Sequence, residues 1–271
     1  MDSVIGTDVD GSLAFGTESH GVRATQNGDI YTVTDPSSST THQCYDISTG
    51  IYHVYFALNT RNLLRTLAGR HDIVLATGAR PSTAHSRREA FDFVAAVILE
   101  NGGMILDGDY EIDQDWEAHL EPDRRYLGDV KAQLESQGWV LDDEGRTSAL
   151  RVRPKDNSSK GSEEFEALCR DLELPGELKT TVNFDCLDII LEKAGKGNAA
   201  RYLIDKNGYT ETTGIGDDIN DIGFLSETNR SFVLRNAQQE LLDLAEREGW
   251  HVSKKPYFEG INEILQHILM S

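Results

Sequence analysis

The chain has 271 residues, enough for one large domain or two modest ones with an ample core. Its 26 Lys and Arg against 46 Asp and Glu give a formal charge of −20, which excludes the basic footprint that a nucleic acid or an anionic membrane partner requires. Cys44, Cys169 and Cys186 are far apart, odd in number and without a CxxC pair, so buried thiols in a reducing compartment are expected, not a disulfide scaffold or a zinc site.

A strand over about 2–8 starts almost at Met1, with no charged-then-apolar leader before it and no membrane-length apolar stretch anywhere, which predicts a cytoplasmic protein. It runs into Asp8-Val9-Asp10-Gly11-Ser12, where carboxylates two residues apart at a strand end point the same way while Gly11 lets the backbone turn. Residues 16–56 form a long connection with strand signals at Ile30-Tyr31-Thr32-Val33 and Ile51-Tyr52-His53-Val54-Tyr55, a hairpin turn at Asn27-Gly28-Asp29 and a loop at Ser37-Ser38-Ser39-Thr40-Thr41. The aromatics Tyr31, Tyr45, Tyr52, Tyr55 and Phe56 argue for a β-flap at the mouth of the site, with a surface decoration as the rival reading.

Next come a helix over 57–70, a strand over 72–77 ending in Thr77-Gly78, and a helix from Pro81 to about Phe93. The apolar run 94–99 reads as a buried strand closed by Asn101-Gly102-Gly103. Residues 108–191 change rhythm: a helix over 115–137, a strand at 138–142, the turn Asp143-Glu144-Gly145, a strand at 147–153, a helix over 161–172, then strands at 179–184 and 187–192. That αββαββ order predicts an inserted α+β unit with an antiparallel sheet. Lys196, between Gly195 and Gly197, opens a helix over 196–207. A strand at 212–216 breaks into Gly216-Asp217-Asp218-Ile219-Asn220-Asp221, followed by helices at 219–226, 237–248 and 259–270 around a strand at 231–235. Strands alternating with helices predict an α/β fold with a doubly wound parallel sheet.

Two close carboxylates at a strand end suit an attacking group beside a proton carrier, and attract a hard divalent cation. The aspartate pair, Thr77-Gly78, Lys196 and the GDxxND loop, in this order, resemble the haloacid dehalogenase-like (HAD) phosphatases. The insertion between Thr77 and Lys196 resembles their class II cap of B subtype, as in the Cof-type, sucrose-phosphatase-like subgroup. The resemblance implies a Rossmann-like core of residues 1–107 and 192–271, carrying the flap at 16–56, and a cap of residues 108–191.

It further implies that Asp8 attacks phosphorus to form an aspartyl-phosphate and that Asp10 protonates the leaving group, then activates water. Mg²⁺ would be held by the Asp8 and Asp217 carboxylates and the Asp10 carbonyl, with Asn220 or Asp221 behind them. The Thr77 hydroxyl, the Gly78 amide and Lys196 would bind phosphate, with Lys193 as the competing lysine. Arg80 departs from the related Thr-Gly-Arg pattern, because Ala79 intervenes; it reaches substrate or stands exposed at a helix start. Asp218 reads as a loop or helix-cap residue, and the eight histidines as surface or flap residues. The implied activity is hydrolysis of a small phosphorylated metabolite, a sugar phosphate above others, by a monomer or weak homodimer with no nucleic-acid or membrane partner. A phosphomutase on the same scaffold and a non-catalytic binding protein are the alternatives.

Overall fold

A computed structural model describes residues 2–36, 38–49, 53–154, 161–183 and 186–271. Ser37, Ile51, Tyr52 and Phe184, named among the strand and loop expectations above, lie outside these. In chain order the first strand, β1 (Ser3–Asp8), is followed by β2 (Ala14–Gly16), the single turn α1 (Thr17–His20), β3 (Arg23–Asn27), β4 (Ile30–Thr34), β5 (Thr41–Asp46) and β6 (Val54–Ala57). Then come α2 (Leu58–Leu67), β7 (Asp72–Ala76), α3 (Pro81–Ser86), β8 (Ala96–Leu99) and β9 (Met104–Asp107). The middle third holds α4 (Gln114–Leu120), α5 (Arg124–Ser136), β10 (Val140–Leu141), β11 (Ala149–Arg153), α6 (Gly161–Asp171), β12 (Leu178–Asn183) and β13 (Cys186–Leu191). The last part is α7 (Lys196–Asn207), β14 (Glu211–Gly216), α8 (Ile222–Leu225), β15 (Arg230–Val233), α9 (Gln239–Glu248), β16 (His251–Val252) and α10 (Tyr257–Met270).

The main sheet has the order β16-β15-β14-β1-β7-β8-β9. All neighbours pair in parallel except β8 and β9, which are antiparallel. Its central strands are covered on both faces, which is why Ile73-Val74-Leu75-Ala76 and Ala96-Val97-Ile98-Leu99 read as continuous apolar runs. The register sets Asp8 opposite Ala76 and Thr7 opposite Ile215, so β1, β7 and β14 end level with one another. Asp8, Thr77 and Asp217 therefore emerge at one edge of the sheet, where open α/β sheets bind ligands.

Strands β2 to β6 form a second, five-stranded antiparallel sheet of order β2-β6-β5-β4-β3. Its inner side chains, among them Phe15, Val33, Cys44 and Phe56, belong to the same buried cluster as Ile5 of β1 and Phe258 of α10. The third sheet, β10-β11-β13-β12, is antiparallel. Between it and the main sheet, Asn101 donates to Asp188 of β13 at 2.8 Å, while within the third sheet Arg151 of β11 grips both Asp188 oxygens at 2.7 Å. Among the described residues no helix is long and apolar enough to cross a membrane.

Several elements differ from the sequence expectation. The helix from Pro81 stops at Ser86 instead of Phe93, and the chain continues to Val94 in tight turns such as Ala90 N–H to Arg87 O. Apolar spacing does not separate such turns from helix, because both bury every third or fourth residue. The helix expected over 115–137 is broken at Glu121–Asp123 by Pro122, which lacks an N–H to continue the ladder. The strands β9 and β16 were not anticipated; each lies at an edge of the main sheet and is four and two residues long, respectively. Of the three cysteines only Cys44 is buried: Cys186 is partly covered and Cys169 exposed. All three are free thiols.

Candidate active site

Asp8 is the last residue of β1 and almost fully buried. Lys196, the first residue of α7, is equally buried and reaches three acceptors with one ammonium. Its Nζ lies 2.6 Å from Asp8 Oδ1, 2.7 Å from Asp221 Oδ1 and 3.1 Å from Asn220 Oδ1. Burial opposes the charge on this lysine, but the Asp221 and Asp8 carboxylates overcome it and raise its pKa, so it is held as a cation. Lys193, the rival by position, instead pairs with Asp123 at 2.8 Å and is half exposed. The flanking glycine Gly195 adopts φ +115°, which a side chain would resist, and the backbone of Gly195 lies where a Cβ on Gly102 would sit.

Asp8, Asp217 and Asp221 each offer an oxygen within 4.8 Å of the others. Burial pushes the Asp8 carboxyl well up, against the pull of Lys196 and with the help of Asp221 and Asp217. The same burial, then Asp221, pushes Asp217 well up, with the Ser12 hydroxyl opposing at 2.8 Å. Two buried carboxylates and a partly buried third crowd around one ammonium, and an all-oxygen set of this kind fits a hard divalent cation such as Mg²⁺. Asp221 is the least available of the three. Its Oδ1 takes Lys196, and its Oδ2 takes the N–H groups of Asp217 and Asp218 at 3.0 and 3.1 Å. It therefore shapes the loop that presents Asp217. Asp218 accepts from the N–H of Ile219 and caps the short helical turn after it, as expected from sequence.

Gly11 makes this packing possible. Its φ is +102°, and a Cβ there would lie 2.2 Å from Asp217 Oδ2. Thr77 follows β7 beside Asp8; its hydroxyl accepts from the N–H of Ala79 at 3.1 Å, and its backbone is held by Ile98 and Asn101. The Gly78 carbonyl accepts from Arg146 at 3.0 Å. Arg80 does not face the carboxylates: it reaches Asp142 Oδ1 at 2.5 Å and the Glu144 carbonyl at 2.8 Å, on the segment leading into β11.

Asp10 stands apart. Its carboxylate is outside the three-carboxylate group and faces Arg87, whose Nη1 lies 3.2 and 3.3 Å from its two oxygens. Sequence reasoning missed Arg87 as a partner, because 77 residues separate the pair and no motif surrounds the arginine. Ser12, part of the motif, also gained no role from sequence, although a hydroxyl two residues after the second aspartate was visible there.

A parallel sheet that gathers an aspartate pair, a threonine–glycine loop, a buried lysine and an acidic loop at one edge defines a phosphatase of the HAD superfamily, a hydrolase. Comparison with known proteins narrows this. The family described as sucrose-6F-phosphate phosphohydrolase matches residues 57–268, and the chain belongs to that family. The chain is similar in fold to a sucrose-phosphatase from Synechocystis sp. PCC6803, solved with sucrose and phosphate. That likeness covers 99% of this chain and 97% of the other at 15% identity and a TM-score of 0.66. A haloacid dehalogenase-like hydrolase from B. subtilis is similar over 99% and 100% of the two chains, at 16% identity and a TM-score of 0.66. A phosphoglycolate phosphatase from Staphylothermus marinus is 38% identical over 77 residues, which is 28% of this chain and 31% of that relative's length.

Proposed function

We propose that the chain is a Mg²⁺-dependent phosphomonoester hydrolase acting on a small phosphorylated sugar through a phosphorylated Asp8. The observation that carries this reading is the buried Asp8–Lys196 contact of 2.6 Å at the end of β1, beside Asp217 and with Asp10 held separately. Residues 1–107 and 192–271 serve as the catalytic core and 108–191 as a cap over it. The Asp8 and Asp217 carboxylates and the Asp10 carbonyl would hold Mg²⁺. When bound, the ion offsets the charge of the carboxylates and of the phosphate oxygens.

The Asp8 carboxylate oxygen attacks phosphorus, the bond to the ester oxygen breaks, and the departing alkoxide takes a proton from Asp10. Lys196 and the Thr77-Gly78 loop hold the phosphoryl oxygens during transfer. Water then attacks the aspartyl-phosphate and gives its proton to Asp10; inorganic phosphate leaves and Asp8 is restored. Asp10 suits proton transfer because its carboxylate lies outside the carboxylate group that would meet the ion and is held apart from it by Arg87.

The solved sucrose-phosphatase and the phosphoglycolate phosphatase relative both support a small phosphorylated organic substrate. Phosphate release across a panel of sugar, polyol and nucleotide monophosphates, with and without Mg²⁺, tests the reading. Turnover of a sugar phosphate that stops on chelation is expected. Metal-independent turnover, or conversion of an aldose phosphate to its isomer without phosphate release, would overturn it.

A further inference from the structure

Arg87 is buried, with 7% of its surface exposed, yet it lies outside the phosphate and carboxylate motifs. A guanidinium removed from water needs acceptors, and this one has two of different origin. Nη1 straddles both oxygens of Asp10, and Nε donates to the carbonyl of Ile47 at 3.0 Å. Ile47 follows β5 in the five-stranded sheet, and its own N–H donates to Val54 O at 2.9 Å, so the carbonyl is fixed by the β5–β6 ladder. At its other end Arg87 closes α3, where its N–H meets the carbonyls of Thr83 and Ala84. The planar fork sets the direction of both contacts at once, which a lysine ammonium cannot do.

We infer that Arg87 is a positioning residue that ties the Asp10 carboxylate to the Ile47 carbonyl, making the five-stranded sheet of residues 14–57 a working part of the active site. The inference rests on the reading of Asp10 as the proton carrier. Asp10 sits in the loop after β1, with its side chain partly open to solvent. Among the described residues, Arg87 supplies the side-chain hydrogen bonds that hold that carboxylate in one orientation. Proton delivery to an ester oxygen depends on that orientation, and a misplacement of about 1 Å costs on the order of a hundredfold in rate. An ion pair that only fastened the 14–57 sheet to the core would lower stability on mutation, but would not care which ester is being cleaved.

That difference is the test. Nitrophenolate leaves without a proton, whereas phenolate is a stronger base and benefits from one. Purified full-length Arg87→Lys, which keeps the charge and is the mildest change, is compared with wild type on p-nitrophenyl phosphate and phenyl phosphate. The expected result is a loss in kcat/KM about tenfold larger on phenyl phosphate than on p-nitrophenyl phosphate. Ile47→Pro, which removes the N–H that fixes the carbonyl, should show the same asymmetry. The double variant should be no worse than Arg87→Lys alone, as for two changes in one link. Equal losses on the two esters, or wild-type values on both, would overturn the inference even if Ile47→Pro fails to fold. If Asp10→Asn also keeps wild-type turnover of phenyl phosphate, the reading of Asp10 itself has failed; if Asp10→Asn is inactive, only the role of Arg87 has.

Discussion

Gly11→Ala is the smallest change that should separate the carboxylate geometry from the rest of the fold. The native φ of +102° lies outside the left-handed well that other residues can enter, so an alanine costs on the order of 1–3 kcal/mol in backbone strain alone. The added methyl would begin 2.2 Å from Asp217 Oδ2 and 2.8 Å from its Cγ, where real contacts do not come below 3.0 Å. Asp217 must therefore retreat by about 1 Å, which also strains its 2.8 Å bond from Ser12. Thermal unfolding should show a loss of about 2 kcal/mol, a few degrees in Tm for a chain of this size. Steady-state kinetics should show a much larger effect: roughly a hundredfold drop in kcat/KM and a raised Mg²⁺ concentration for half-activation. A folded Gly11→Ala with wild-type turnover and an unchanged Mg²⁺ requirement would refute the claim that Asp217 must lie against this turn.

Lys196→Met leaves Asp8 and Asp221 without their shared cation; it should lower stability by about 3–5 kcal/mol and abolish phosphatase turnover, checked by denaturant titration and phosphate release. Burial, then the charge of Asp35, pushes the Cys44 thiol up to about 12, so at pH 8 only about one molecule in ten thousand carries the thiolate. A thiol reagent at that pH should modify exposed Cys169 first, partly covered Cys186 next and Cys44 last. Mass spectrometry of the labelled peptides reads the order, and the reactivity of Cys44 should rise only as the pH approaches 12.

The edge of the main sheet was legible from sequence because each of its parts is announced locally. An apolar run that ends in Asp8, Thr77 or Asp217 marks a strand end, and parallel pairing then places such ends side by side without further information. Lys196 was legible for a similar reason: a lysine between two glycines at a helix start has room to turn inward. The strands of the 14–57 segment also carried alternation and a hairpin turn. What could not be read were contacts set by tertiary packing. Nothing near Arg87 says that its side chain turns toward a loop 77 residues earlier. Nothing near Arg80 says that it pairs with Asp142 on the segment before β11. The short edge strands β9 and β16 are defined by their neighbours more than by their own residues, and the exposure of Cys169 depends on which face of α6 packs inward.

The central claim is that Asp8 carries the phosphoryl group. The direct measurement is to quench the enzyme in acid during turnover of p-nitrophenyl phosphate, reduce the acyl phosphate with borohydride, and map the peptides by mass spectrometry. The account predicts that Asp8 alone is converted to homoserine, and that Asp8→Asn shows no conversion and a rate lower by several orders of magnitude. Conversion at Asp10, Asp217 or Asp221, or unmodified Asp8 in wild-type enzyme that is turning over substrate, would contradict it.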